Sequence, residues 1–287
     1  MRKSENELVA KITDDPVFSW VMEQDDNCCK LLQAILPELN ITRVEFETQK
    51  RLKFHPEKRG TIPDILAYDQ EGRVYDIELQ VLQNKFLAQR IRYYFSMIDQ
   101  NLLMSGGKYR DLPETYVIFI LPNDPYDQDE KYYEFAFQQL KRKNPLVLDT
   151  KQHAIILNAS GSIGEVTPRL QGFFDLIHDK ISTKDEFIEK LNREVKKFGT
   201  DPGRRKKLMD YQMRLDDERE FGKELGREQE EINAIQKLIK ITRQLKASDD
   251  FILKQLIANY GDDFSKEELQ EFIKKLRLIY NQVYSLQ

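Results

Sequence analysis

The sequence predicts an α/β core, a mixed β-sheet flanked by helices, followed by an all-helical C-terminal region. Up to about residue 180, segments with the two-residue period of strands alternate with segments of helical period. Beyond that point the apolar residues keep helical spacing to the end of the chain, and no proline follows Pro202. We therefore expect a core domain over residues 1–180 and a helical region over residues 181–287.

The composition is that of a soluble globular protein, with 40% hydrophobic and 33% charged residues in a chain of 287. The formal net charge of −4 argues against a generally basic nucleic-acid-binding surface but allows a local patch. The three histidines lie far apart without the spacing of metal ligands, so we do not expect a zinc site.

The N-terminus lacks the apolar run of a signal peptide, and no apolar stretch reaches the ~20 residues of a membrane helix. The only cysteines, Cys28 and Cys29, are adjacent, which disfavours a disulfide framework. These observations predict a cytoplasmic protein that does not associate with membranes.

The elements follow from periodicity and from turn residues. Asp14 or Asp15 followed by Pro16 predicts a helix start, and the polar run at 23–27 predicts a break between two helices. The remaining predictions are strands at 41–52, 62–69, 73–81, 115–121, 132–137 and 154–158, and helices at 84–104 and 167–178.

The strands at 62–69 and 73–81 form a predicted hairpin that joins through Gln70-Glu71-Gly72. A turn centred near Glu71 places Asp64 opposite Glu78, with Cβ atoms roughly 4.5–5.5 Å apart. Two facing carboxylates repel each other, so the pair suggests a bound cation between them. The alternative is an ordinary solvated hairpin face. Asp76 lies on the same face, where it is either a peripheral acid of the site or, as we expect, simply exposed.

The hairpin resembles the PD-(D/E)XK nuclease superfamily, and more narrowly its recombination-promoting nuclease and transposase-like branch. The matching residues are Pro63-Asp64, then Glu78 after a spacer, then Leu79-Gln80. Further similarity lies in Asp15-Pro16, in Gln89-Arg-Ile-Arg-Tyr-Tyr94, and in Tyr116-Val-Ile-Phe-Ile120. The resemblance covers about residues 14–178 and implies a restriction-endonuclease-like αβββαβ core.

The resemblance implies a metal-dependent endonuclease that cleaves DNA phosphodiester bonds. Asp64, Glu78 and the Leu79 carbonyl would bind Mg²⁺, or Mn²⁺ in its place, and Asp64, Glu78 and Gln80 would be catalytic. The sequence departs from the superfamily at Gln80, where lysine is usual, because an amide can orient a water but brings no positive charge.

Other residues are weaker candidates. On the helix after the hairpin, Gln89, Arg90, Arg92 and Tyr93 would contact DNA, with a plain polar helix face as the alternative. Glu47 on the preceding strand would add a further carboxylate.

Two alternatives stay open at the level of the whole chain. The departure at Gln80 and the acidic balance also fit a catalytically weak nuclease-fold protein that binds DNA or protein. An interrupted heptad series consists of Phe221, Leu225, Ile232, Ile235 and Ile239. It leaves open both homo-oligomerisation through the C-terminal helices and packing of those helices within the chain, and residues 181–287 are also a candidate region for DNA contact.

Overall fold

The computed structural model describes residues 9–48, 63–81, 85–141, 143–181 and 183–284, without the side chains of residues 47, 48 and 277–284. The described elements are, in chain order, α1 (Asp15–Met22), α2 (Asn27–Ile35), β1 (Val44–Thr48), β2 (Ile65–Asp69), β3 (Val74–Leu79), α3 (Leu87–Leu102), a short 3-10 turn (Tyr109–Asp111), β4 (Thr115–Leu121), β5 (Tyr132–Phe135), β6 (Gln152–Asn158), α4 (Pro168–Ile177), α5 (Glu186–Thr200), α6 (Pro202–Gln244), α7 (Asp249–Tyr260) and α8 (Lys266–Tyr284).

The six described strands form one mixed sheet in the order β1-β2-β3-β4-β6-β5. Strands β1, β2 and β3 pair antiparallel, β3, β4 and β6 pair parallel, and β5 runs antiparallel to β6. The predicted mixed sheet flanked by helices is confirmed, and β4 has the predicted limits. The predicted strand at 41–52 appears as β1, and residues 49–52 lie outside the described part.

Helices cover both faces of the sheet. One face packs against α1, α2, α4 and α5, and the other packs against α3. Strand β4 serves both layers, since Tyr116 and Ile118 join the first while Val117 and Phe119 join the second. This double burial explains why its sequence is apolar without alternation.

The chain divides into two compact units between Tyr211 and Gln212, within α6. The sequence analysis sets the change from core to helical region near residue 181. Helix α5 and the first turns of α6 nevertheless contribute Phe187, Leu191, Phe198 and Leu208 to the core of the first unit, because their apolar faces pack there.

The second unit has its own small apolar core, formed by α7, α8 and the end of α6. Its fully or nearly fully buried members are Ile235, Ile239, Ile252, Leu256, Leu269 and Ile273. Two residues of the heptad series, Ile235 and Ile239, are thus used inside this unit, while Phe221 and Leu225 are exposed. Self-association of the chain stays a prediction. Over the described residues, no helix has the combined length and apolar character needed to cross a membrane.

Candidate active site

The site lies where the β2–β3 hairpin opens. Residue Asp64 immediately precedes β2, and the register that pairs Ile65 with Ile77 sets Asp64 opposite Glu78. The Asp64 backbone N–H donates to Glu78 Oε1 at 3.0 Å, and the Leu79 N–H donates to Asp64 Oδ2 at 3.0 Å. A backbone N–H at each end of the pair therefore holds the carboxylate on the opposite strand. The structure thus brings the two predicted residues, Asp64 and Glu78, together.

Burial dominates the electrostatics of the pair. Glu78 is only 4% exposed. Burial raises its pKa to about 7, although the Asp64 N–H, the Arg90 charge and the Tyr94 hydroxyl all favour the ionised form. The pKa of half-buried Asp64 is also raised well above its usual value, first by burial and then by repulsion from Glu78. Two such carboxyls ionise together most readily when a cation joins them.

Helix α3 supplies the positive charge of the site through Arg90. One guanidinium nitrogen donates to Gln80 Oε1, and the other reaches Glu78 Oε2 at 3.4 Å and the Tyr94 hydroxyl at 3.2 Å. The guanidinium also lies 5.2 Å from the centre of the Phe119 ring. Arg90 is thus held among an amide, a carboxylate and two rings, one helical turn after α3 begins.

Tyr94, which lies within the region of family similarity, has no predicted role in the site. Its hydroxyl donates to Glu78 Oε2 at 3.0 Å, and its ring packs against Phe119. The four-residue spacing between Arg90 and Tyr94 could have indicated its role, because residues four apart on a helix lie on the same face.

The expectation that Asp76 is exposed is wrong. Its side chain is fully buried. Helix α3 packs over this face of the hairpin, to which Leu66 and Val74 also contribute. Strand alternation identified the face correctly but carried no information about what covers it. Burial, followed by repulsion from Glu78 and Asp64, raises the pKa of Asp76 well above the usual value.

Another acid, Asp15 at the start of α1, acts on the site from the opposite side of the sheet. Its charge contributes to the raised pKa of both Asp64 and Glu78. The Tyr211 hydroxyl donates to Asp15 Oδ1 at 3.2 Å. The sequence analysis treated Asp15 only as a helix-start residue and a point of family similarity.

The remaining candidates on α3 do not converge on the acids in the same way. Gln89 and Arg92 are exposed and Tyr93 is half-buried. Arg92 lines a groove of about 640 Å³ between α3 and the β5–β6 edge of the sheet, where Phe135 and Phe137 form part of the opposite wall. The side chain of Glu47 lies outside the described part of the chain.

The oxygen atoms at the open end of the hairpin suit a divalent cation. Carboxylate and carbonyl oxygens are the donors that Mg²⁺ prefers, and Mg²⁺ commonly binds through one or two carboxylates while water and substrate phosphate complete its shell. Asp64, Glu78 and the Leu79 carbonyl fit that pattern. Within the described ranges, no three His, Cys, Asp or Glu side chains are grouped so that they could hold an ion by themselves.

Comparison with known proteins gives one positive result. A family model described as PD-(D/E)XK nuclease family transposase matches residues 15–165, which is more than half of the chain and includes Asp15, Asp64, Glu78 and Arg90. No curated protein and no solved structure matches the chain.

Proposed function

The chain belongs to the PD-(D/E)XK nuclease family transposases, and on this premise we propose that it is a divalent-cation-dependent DNA endonuclease. The observation that carries the proposal is the pair of acids, half-buried Asp64 and buried Glu78, that accept hydrogen bonds from each other's strands at the open end of the hairpin. Burying two adjacent carboxyls is costly, and a cation between them would remove most of that cost.

We assign cation binding to Asp64, Glu78 and the Leu79 carbonyl, with Mg²⁺ as the natural ion and Mn²⁺ as a substitute. When bound, such an ion activates a water and neutralises charge that develops on the phosphate. The backbone N–H groups of Asp64 and Leu79 hold the Glu78 and Asp64 carboxylates in place, so that the two acids are already positioned at the open end of the hairpin.

Gln80 and Arg90 together take the role for which the superfamily commonly uses lysine. The Gln80 side-chain oxygen accepts from Arg90 and so fixes the guanidinium beside the acid pair. The Arg90 guanidinium brings the positive charge that the amide lacks, and its planar donors suit a phosphate. Exposed Gln89 and Arg92 and half-buried Tyr93 are proposed to contact the DNA strand near the cleaved bond.

A plasmid-nicking assay tests the proposal. Supercoiled DNA with Mg²⁺ or Mn²⁺ is incubated with wild type, Asp64→Ala, Glu78→Gln and the control Asp99→Asn. The control also removes one carboxylate charge, but on α3 and away from the acid pair. We expect wild type and the control to nick DNA only when the ion is present. Both site variants should be slower on the order of 10³-fold, because several kcal/mol of transition-state stabilisation are lost.

Equal background cleavage by wild type and Asp64→Ala would refute the endonuclease proposal. If both proteins then retard DNA equally in a gel-shift assay without nicking it, the result favours the catalytically weak DNA-binding protein that Gln80 suggests. Loss of nicking in Asp99→Asn as well would indicate a general effect of charge removal rather than a specific site.

A further inference from the structure

Asp76 has no assigned role in the proposed mechanism, although it is an unusual residue in this fold. It is fully buried in the middle of β3, and among the described residues neither carboxylate oxygen has a hydrogen-bond partner. A buried carboxyl without partners is destabilising, and native structures rarely retain one without a reason. An apolar residue of similar volume would fill the same position at lower cost.

The surroundings of Asp76 connect it to the acid pair. It lies two residues before Glu78 on the same face of β3, opposite Leu66 of β2 and beside Val117 of β4. The charged groups that act on it are Glu78 and Asp64, which repel its charge, and Arg90, which attracts it. Its own charge acts in turn on Tyr94, the residue that donates to Glu78.

The acids around Asp76 carry more negative charge than the neighbouring arginine can neutralise, unless a further cation binds. Asp64, Asp76 and Glu78 are three carboxyls, and Arg90 is the single positive group that acts on Asp76 in the described part of the protein. Arg90 is moreover engaged by Gln80, Glu78 and Tyr94. One divalent ion at Asp64 and Glu78 would bring the cluster close to neutrality.

We infer that Asp76 is a third acid of the cation site, and that it strengthens divalent-ion binding from behind Glu78. The inference rests on the proposed function, because the ion is the same one. The three acids do not form a group that could hold an ion directly, so Asp76 is a positioning residue. It acts through its negative charge behind Glu78, and the two outer acids bind the ion.

Calorimetric titration of the full chain with Mn²⁺ tests this inference without relying on catalysis. The titration is made at about 0.15 M salt, where exposed charges are largely screened. The proteins are wild type, Asp76→Asn, Asp64→Ala and the control Asp99→Asn. We expect Asp76→Asn to bind Mn²⁺ about 10- to 100-fold more weakly, the range usual for residues that support metal ligands. The control should bind like wild type.

Stability without the ion supplies a second signature that a merely structural role would not give. Asp76→Asn should be at least as resistant to urea as wild type, because the substitution removes a buried acid without hydrogen-bond partners. Higher or equal stability together with weaker Mn²⁺ binding is the expected combination. If the asparagine variant does not fold, Asp76→Ser, which is smaller and also uncharged, must show the same loss of affinity.

The outcomes separate the inference from the proposed function. If wild type binds Mn²⁺, Asp64→Ala does not, and Asp76→Asn binds like wild type, the inference is wrong while the proposed site stands. If wild type itself does not bind Mn²⁺, both fail. If Asp99→Asn is weakened as much as Asp76→Asn, the effect is one of net charge and the inference is wrong.

Discussion

The two ends of the β2–β3 hairpin each bury acids beside an arginine, but they satisfy those acids differently. At the turn, Asp69 accepts from the N–H groups of Glu71 and Arg73, from Arg73 Nε at 2.6 Å and from the Tyr75 hydroxyl at 2.9 Å. At the open end, a similar number of donors is divided between two acids, Asp64 and Glu78, and Asp76 lacks hydrogen-bond partners in the described part of the chain.

The pKa shifts follow this difference. Burial alone would raise the pKa of Asp69, but the Arg73 and Tyr75 hydrogen bonds and the backbone donors hold it below the usual value. At the open end, the hydrogen bonds of Glu78 and the Arg90 charge offset its burial only in part, and the pKa of Glu78 rises to about 7. The acid at the turn is therefore fully compensated within the folded chain, whereas the acids at the open end are not, which is what the proposed cation site requires.

The largest expected effect on stability is at the turn. Asp69→Ala leaves Arg73, which is 11% exposed at its side chain, without its buried partner. We expect the free energy of unfolding to fall by about 3–5 kcal/mol, measured by urea denaturation. Glu71→Ala, which removes a 58% exposed partner of the same arginine, is the control and should cost less than about 1 kcal/mol. Equal losses would mean that the burial of the Asp69–Arg73 pair does not set its contribution to stability.

The second prediction concerns the departure at Gln80. Gln80→Lys restores the usual superfamily residue but sets an ammonium group beside the Arg90 guanidinium that now donates to Gln80. We expect the nicking rate to fall on the order of 10²-fold, because repulsion displaces both groups. The double variant Gln80→Lys with Arg90→Gln, which exchanges the charge and the amide, should recover part of the rate. A faster single variant would show that Arg90 does not supply the positive charge.

The third prediction is that the two ends respond to pH in opposite directions. An acid whose pKa is higher in the folded state than in the unfolded chain stabilises most at low pH, so the Glu78 contribution is lost as pH rises from its ordinary 4.5 through about 7. The melting temperature of the ion-free protein should fall over that interval, and Glu78→Gln should flatten the fall. Mn²⁺ should stabilise wild type more at pH 8 than at pH 5.5, because protons then compete less for the site.

The contribution of Asp69 to stability has the opposite dependence on pH. Its lowered pKa makes its contribution complete above its ordinary value of 3.8 and lost as pH falls through the folded-state value. Between pH 5 and 8, the difference in melting temperature between wild type and Asp69→Ala should therefore stay constant. A difference that changes steeply in this range would contradict the assignment.

The smallest expected effect is at the turn glycine. Gly72 has a φ of +78°, and a Cβ there would meet no atom within 4 Å. The destabilisation of Gly72→Ala therefore comes only from placing alanine in the left-handed backbone conformation. We expect a loss of about 1–2 kcal/mol in urea denaturation. Gly222 in α6 also has open space around it but is helical, and Gly222→Ala should stabilise its helix by about 1 kcal/mol. A change of the same sign in the free energy of unfolding for both variants would contradict the assignment of the effects to backbone conformation.

Much of the fold could be predicted because its signals are local. The apolar run of β4, the two-residue period of the hairpin and the helical stripe of α3 are each contained in one segment, as is the turn that sets Asp64 opposite Glu78. Residue Asp76 was assigned wrongly because its burial depends on where α3 packs, and the influence of Asp15 was missed because it comes from another layer. Both depend on contacts between segments, which periodicity does not report.

The hydrogen bond between Tyr211 and Asp15 bears on how the protein should be cut into fragments. A fragment that ends near residue 180 would lose α5, which fills the core with Phe187 and Phe198, and would also lose the tyrosine that holds Asp15. Expression trials of an isolated catalytic part should therefore keep the chain through Tyr211, where the first compact unit ends. A shorter fragment that proved inactive would say nothing about the chemistry of Asp64 and Glu78.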